Sequence, residues 1–366
     1  MHVLVNAIND NALPRGPDVY LMQLLPQMLE ADPGLRVTLV HAPWQKALAA
    51  LDHGPRLALR VLAAPRRPLP RLLWQASGFV RFANALAPDV TFLPNLIWTP
   101  GLRSPTVLTA HDLLQFRTPE KFGRAKAAAL RLVIRRALAR ADRIVAVSGF
   151  TAGDAVRLAG AAPARLRVIH EGGPAPRPRA ASATGEGPPL FLFVGKLERT
   201  KGVETLIRAF TGSEALARRG CRLVIAGPPG NAAPAIRALL EGAAAADRVS
   251  LPGFLPGPEV ERLYSSCRAF VFPSEAEGFG LVLLEAMAHG APVIAARATA
   301  LPEVVGEAGL LVEPGDVAGL RAALERLAAD DALAARLREA GYRRLAAFDW
   351  AEAGRATAAL LREAVA

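Results

Sequence analysis

Cysteine is nearly absent: Cys221 and Cys267 are all that 366 residues contain, and both fall in apolar, strand-like runs. They read as reduced core residues and leave no case for a disulfide framework or a cysteine-built metal site. No Asp-x-Asp pair occurs, so no metal requirement is expected. No run of eighteen apolar residues suggests a membrane span, and the chain enters an apolar strand at once without the basic flank and apolar core of a signal peptide. Together these absences predict a cytoplasmic protein. Tyrosine is scarce, three in all, and no aromatic stacking pattern accompanies the basic residues, which argues against nucleic acid as a partner.

What is present is a chain that is 52% apolar, long enough for two domains with their own cores. Its charge is uneven. Residues 1–180 hold 24 Lys and Arg against 11 Asp and Glu, a net of +13, whereas the remainder holds 20 against 22, a net of −2. The first half is therefore expected to face something anionic, such as a phospholipid surface or a lipid-diphosphate acceptor. General arginine abundance would produce the same excess.

The most informative stretch runs from Phe272 to Ile294, FPSEAEGFGLVLLEAMAHGAPVI. The spacing predicts a buried strand over Arg268–Pro273, a loop over Ser274–Gly278 and a helix over Gly280–His289, stopped by Gly290 and Pro292. Glu285 is the one non-apolar residue, glycines aside, between Phe279 and Ala288. A carboxylate on such a helix costs several kcal/mol to bury unless something donates to it, so Glu285 is expected to have a partner. Glu277 precedes it by eight residues at the loop end of the same unit. Two carboxylates flanking a glycine-bearing helix N-terminus suit a polyhydroxyl ligand that also carries phosphate. Carboxylates accept from sugar hydroxyls, and backbone N–H groups with the helix dipole favour the phosphate. Two solvated carboxylates are the competing reading.

Elsewhere, strand-like runs at His2–Ile8, Arg36–His41, Leu57–Leu62, Asp89–Leu93 and Thr106–Ala110 alternate with helical patterns, which predicts a parallel sheet covered on both faces. Arg143–Val147 and Arg167–His170 are expected to complete that sheet. His111 follows one of these strands, at the carboxyl end where open α/β sheets bind ligands; a structural histidine is the alternative. Arg124–Arg143 reads as a basic amphipathic helix, able to lie on an anionic membrane or to turn its arginines to water. Residues 173–188 form a linker rich in Gly, Pro and Ala. A second domain opens at 189, where a strand leads to Gly195-Lys196-Leu197-Glu198-Arg199-Thr200-Lys201-Gly202 and a helix. Lys196 and Lys201 there are candidates for a diphosphate.

The combination of Pro-Ser, Glu277-Gly278-Phe279-Gly280-Leu281 and Glu285-Ala-Met-Ala resembles the retaining nucleotide-sugar glycosyltransferases of family 4, whose hallmark is Glu, seven residues, Glu. The resemblance is dense from Leu190 to Asp316 and looser before Pro105. It implies the GT-B architecture, an α/β fold of two Rossmann-like domains facing each other across a cleft. The acceptor domain would span 1–172, the nucleotide-sugar domain 189–345, and a C-terminal helix within 346–366 would return to the first domain. It implies that Glu277 approaches hydroxyls of the donor sugar, Glu285 holds the ribose, and His111 lies near the reacting carbon. Lys196 and Lys201 would meet the donor diphosphate with the N–H groups of Phe279, Gly280 and Leu281. Lys196 stands where the family usually has Arg, which keeps the charge and loses the planar fork. The family's glycine-rich first loop is reduced here to Arg15-Gly16; a phosphate or acceptor role there is what the resemblance implies, and a plain turn is the alternative.

The implied reaction moves a sugar, with mannose from GDP-mannose as first expectation, to a hydroxyl of a glycan or lipid-linked acceptor in bacterial surface or exopolysaccharide assembly. No cofactor is expected beyond the donor substrate, and peripheral contact with the inner face of the cell membrane is the expected association. A nucleotide-sugar epimerase of the same fold and a non-catalytic two-lobed sugar-binding protein are the alternatives.

Overall fold

The computed structural model describes every residue except 11–15, 53, 98, 178–186 and 242–245. The chain divides into two compact units, Met1–Gly172 with Asp349–Ala366, and Gly173–Phe348.

The first unit carries a seven-stranded, all-parallel sheet. Its strands are β1 (His2–Asn6), β2 (Arg36–His41), β3 (Leu57–Val61), β4 (Val90–Leu93), β5 (Thr106–Ala110), β6 (Arg143–Ala146) and β7 (Leu166–Val168), in the order β3-β2-β1-β4-β5-β6-β7. Val3 and Val5 point into one core and Leu4 into the other, as a sheet buried on both faces requires. One core is closed by the helix Gly16–Ala31, through Tyr20, Leu21, Leu24, Leu25 and Met28, together with Leu360 and Leu361 of the C-terminal helix Trp350–Val365. These two helices touch closely at Gly354, where an added Cβ would lie 2.5 Å from the Cβ of Gln27. The opposite core holds Phe79, Ile134, Leu138 and Ala155.

The second unit carries six parallel strands, β8 (Leu190–Val194), β9 (Arg222–Ala226), β10 (Val249–Gly253), β11 (Ala269–Phe272), β12 (Val293–Ala296) and β13 (Gly309–Val312), in the order β10-β9-β8-β11-β12-β13. Both sheets thus start in the middle, run outward to one edge, and return to fill the other. Each has a topological switch point, between β1 and β4 in the first unit and between β8 and β11 in the second, where the loops leaving the carboxyl ends of neighbouring strands diverge.

Several boundaries differ from the sequence reading. The basic helix ends at Arg140, and Arg143 opens β6. The last strand of the first sheet is Leu166–Val168, so His170 lies past it. The linker expected over 173–188 begins inside the second unit: Gly173 donates to Phe348 O (2.9 Å) and Arg177 to Ala288 O (2.7 Å). Backbone hydrogen bonds of that kind dock a segment whatever its Gly and Pro content. At the other end, the second unit extends past 345 to Phe348, whose ring meets that of Phe279 edge-on at 5.6 Å.

Candidate functional site

In the second unit β8 and β11 are neighbours, so the loops that follow them must run side by side. Gly202 makes the approach close. It sits at φ +66°, and a Cβ there would lie 2.1 Å from the carbonyl oxygen of Pro273, which only glycine avoids. The loops are then tied by the backbone of Glu275, which donates to Thr200 O (2.8 Å), and by Ser274 Oγ, 3.1 Å from that same oxygen.

This contact brings Lys201 and Glu277 together across 76 residues. The Lys201 ammonium donates to Glu277 Oε1, and Ser274 Oγ lies 2.5 Å from the same carboxylate oxygen. Both ionic side chains keep partial solvent contact, at 21% and 15% exposure, so a ligand can reach them. The ammonium also stands 5.2 Å from the centre of the Phe272 ring, within cation–π range. Glu277 is further held by its own backbone N–H, which donates to Thr299 Oγ1 (3.0 Å). Thr299 has φ +52°, a left-handed conformation that a β-branched residue adopts at a cost of order 1–3 kcal/mol. Nothing in the run Arg297-Ala298-Thr299-Ala300 signals this, and sequence reasoning missed Thr299 as a site residue.

Glu285 lies on the helix Leu281–Ala288, which starts from Gly280 in a left-handed conformation with no side-chain cap. The partner it requires is Tyr264, a buried phenol that donates to Glu285 Oε2 (3.3 Å). Burial raises the Glu285 carboxyl above its usual range, against the Tyr264 hydrogen bond, which lowers it. Burial, and then the negative charge of Glu285, push the Tyr264 phenol well up, so it stays a donor. Tyr264 also stacks on His289, whose Nδ1 donates to the backbone oxygen of Glu285 (2.9 Å). Phe279 is a core side chain, which leaves its backbone as the part available to a ligand. Lys196 has a carboxylate partner of its own: its ammonium is bound by Glu198 at 2.9 Å, and its side chain is 43% exposed.

In the first unit His111 lies just past β5, with its Nδ1 3.1 Å from Glu171 Oε1 and its Nε2 3.0 Å from Pro94 O. Its ring stands edge-on to Tyr20 at 4.8 Å. Around the end of β1 a polar cluster ties the segments after β1 and β2 to the start of the helix Gly16–Ala31 and to Gln75. Asn6 donates to Gln75 Oε1 (2.6 Å), while Asp18 Oδ1 accepts from Asn9 (2.7 Å) and Gln45 (3.1 Å). Gly16 opens the helix after this cluster, with open space where its side chain would be, and Arg15 lies outside the described residues. In the basic helix Arg124–Arg140, Arg131 and Arg135 spend their guanidinium groups inside the unit, on Gln115 O (2.7 Å) and Leu158 O (3.1 Å).

Comparison with known proteins places this arrangement. Residues 176–344 match the family model for glycosyl transferases group 1, and residues 14–172 match that for Glycosyltransferase Family 4. The chain is 33% identical over 361 residues to a D-inositol 3-phosphate glycosyltransferase of Nocardia farcinica, a match that covers 89% of this chain and 75% of that one. It is 29% identical over 249 residues to O-antigen chain mannosyltransferase B of Escherichia coli, covering 65% of each chain, just under two thirds of that relative's length. In fold it is similar to sucrose-phosphate synthase from Thermosynechococcus elongatus, with a TM-score of 0.80 at 23% identity over 99% of this chain and 98% of that one. Two Rossmann-like parallel-sheet units, the Glu277–Glu285 spacing and these matches assign the chain to the family 4, group 1 glycosyltransferases of GT-B fold.

Proposed function

We propose that the protein transfers a sugar from a nucleotide diphosphate sugar to a hydroxyl of a glycan or lipid-linked acceptor, with retention of the anomeric configuration. The observation that carries this reading is the Lys201–Glu277 pair beside the helix that bears Glu285, at the second unit's switch point. Departure of the diphosphate builds negative charge, and a fixed cation aimed at it lowers the barrier. On donor binding, Lys201 exchanges Glu277 for the diphosphate, and the released carboxylate accepts from sugar hydroxyls. Backbone N–H groups of Phe279, Gly280 and Leu281 and the more exposed Lys196 add to the anion's hold. Glu285, kept in place by Tyr264, accepts from the ribose. A donor phosphate oxygen takes the proton of the acceptor hydroxyl, so no protein nucleophile is needed.

Among the described residues no group of three or more His, Cys, Asp and Glu could hold a metal ion, and we propose a metal-independent reaction with no cofactor besides the donor. Mannose is the proposed sugar and bacterial surface or exopolysaccharide assembly the proposed setting, supported by the likeness to O-antigen chain mannosyltransferase B. No described helix is long and apolar enough to cross a membrane. For a lipid-linked acceptor we propose peripheral contact with an anionic inner membrane face. That reading is supported by Leu69 and Leu73, 68% and 65% exposed on the short helix Pro68–Trp74 beside Arg66 and Arg67.

The test is thermal denaturation with GDP, UDP, dTDP and ADP, alone and as nucleotide sugars, for wild type and Glu285→Ala. A ligand at a hundred times its Kd stabilises by about 2.7 kcal/mol, a visible shift. A shift with one base that disappears in the variant supports the donor site and names the base; no shift with any of them overturns the reading.

A further inference from the structure

His111 is held at its two ring nitrogens, by Glu171 Oε1 at 3.1 Å and Pro94 O at 3.0 Å. Two such contacts leave the ring free to rock about the line that joins them. What restricts that motion is Tyr20, whose ring stands at 88° to the imidazole with centroids 4.8 Å apart, an arrangement that aromatic pairs prefer. Tyr20 is 1% exposed, and its hydroxyl is turned towards those of Thr109 on β5 and Thr357 on the C-terminal helix. Among the described residues none of these three hydroxyls has a partner in hydrogen-bond geometry, so packing holds the ring. That packing comes from the far end of the chain. Trp350 opens the C-terminal helix with its ring 6.0 Å from that of Tyr20, tilted by 60°. The same residue is pressed against Gly172, where a Cβ would lie 2.4 Å from the Trp350 backbone nitrogen, and Gly172 follows Glu171. One turn on, Gly354 pins the helix to Gln27 of Gly16–Ala31, the helix that bears Tyr20. Trp350 therefore stands behind two neighbours of His111, the Tyr20 ring and the Glu171 segment.

We propose that Tyr20 is a positioning residue for His111, seated in turn by Trp350, so that the C-terminal helix completes the first unit's site. This deepens the transferase reading, in which His111 lies near the reacting carbon, and rests on it for the effect on rate. Displacing a reacting-site side chain by about 1 Å costs on the order of 100-fold in rate. Lys201, Glu277 and Glu285 belong to the second unit, so the loss falls on kcat and spares donor affinity.

The test uses the full chain with 13C-labelled histidine, and GDP-mannose as the donor probe with release of GDP as the turnover signal. The His111 ring protons are assigned by their loss in His111→Asn and by their Overhauser contact with the Tyr20 ring. Tyr20→Phe, which keeps the ring, is expected to leave these signals and kcat near the wild type. Trp350→Leu is expected to move the signals and to lower kcat at least tenfold, with KM for GDP-mannose changed less than twofold. In the His111→Asn background Trp350→Leu is expected to change kcat less than twofold, because the group that it positions is gone. Should Trp350→Leu fail to fold, Tyr20→Leu carries the same comparison. Unmoved His111 signals, or an equal fall in kcat with and without His111, overturn the proposal and leave Tyr20 and Trp350 as packing residues. Absence of turnover in the wild type counts against the transferase reading alone, and the ring signals, which need no turnover, still decide the positioning.

Discussion

The two sheets share one strand order, the first adding β7 at its edge, and carry opposite chemistry at the carboxyl ends of their central strands. In the first unit the carboxyl end of β1 is surrounded by mutually satisfied polar groups: Asn6 with Gln75, and Asp18 with Asn9 and Gln45. In the second, the crevice between β8 and β11 holds an ion pair, Lys201 with Glu277, which solvent still reaches. A buried network in which every member has a partner rigidifies a core. A partly exposed ion pair gains little from its own attraction and is readily exchanged for a ligand's charge. The first arrangement suits a rigid core, and the second, on the proposed function, suits exchange with a ligand.

Substitutions at the two clusters should break this contrast if it is wrong. The largest effect is expected for Lys201→Ala: kcat falls more than tenfold with the melting temperature little changed, because the leaving diphosphate loses a cation that the fold does not need. Near-normal turnover in a steady-state assay would remove Lys201 from that role. Asp18→Ala should do the reverse. It leaves the half-buried amide of Asn9 and the buried amide of Gln45 without this acceptor, at a cost of about 1–3 kcal/mol, which denaturant titration reads as a lower midpoint of the first unit. Donor-nucleotide affinity should be untouched, and a loss of it would merge the two roles.

Smaller effects sharpen the second crevice. Thr299→Gly relieves the left-handed strain but removes the hydroxyl that accepts from Glu277, whereas Thr299→Ser keeps it. The serine variant should retain activity and the glycine variant lose several-fold in kcat/KM despite equal or higher stability. Equal activity for both would mean that Thr299 does not position Glu277. Glu285→Gln gives a pH signature. Burial raises the carboxyl in the folded state, so folding favours its protonated form; wild-type stability from this group is full below the unfolded value and is lost as pH rises through the folded one. The melting temperature of Glu285→Gln should therefore gain on the wild type as pH rises from 4 to 8, while nucleotide affinity falls. A pH-independent difference would show that the carboxylate is not desolvated. Last, binding to anionic vesicles should weaken with added salt, as expected for an exposed basic surface, and no binding at low salt would leave the charge asymmetry without a partner.

Much of this is legible in the sequence. Alternating strand and helix patterns dictate parallel sheets, because strands buried on both faces must read as continuous apolar runs. Glu285 stood out because a lone carboxylate on an apolar helix needs a donor. That the donor is Tyr264, 21 residues earlier on the helix Gly257–Ser266, was not legible, since no spacing rule links side chains on different elements. That Lys196 and Lys201 meet one diphosphate is what the family resemblance implies; in the structure each ammonium is held by a carboxylate of its own, Glu198 and Glu277.

The sequence by itself determined the elements, their alternation, the division into a basic and a near-neutral half, and the residues able to carry charge, because those follow from local pattern and composition. Tertiary structure decided which of those residues meet. Strand order sets β8 beside β11 and so Lys201 beside Glu277. The converging ends of β4, β5 and β7 give His111 two oxygen partners, Pro94 O and Glu171. The turn after β12 forces Thr299 into a conformation its type disfavours. Each is a contact between segments far apart in the chain, and its energy depends on distances that only the packed sheets define.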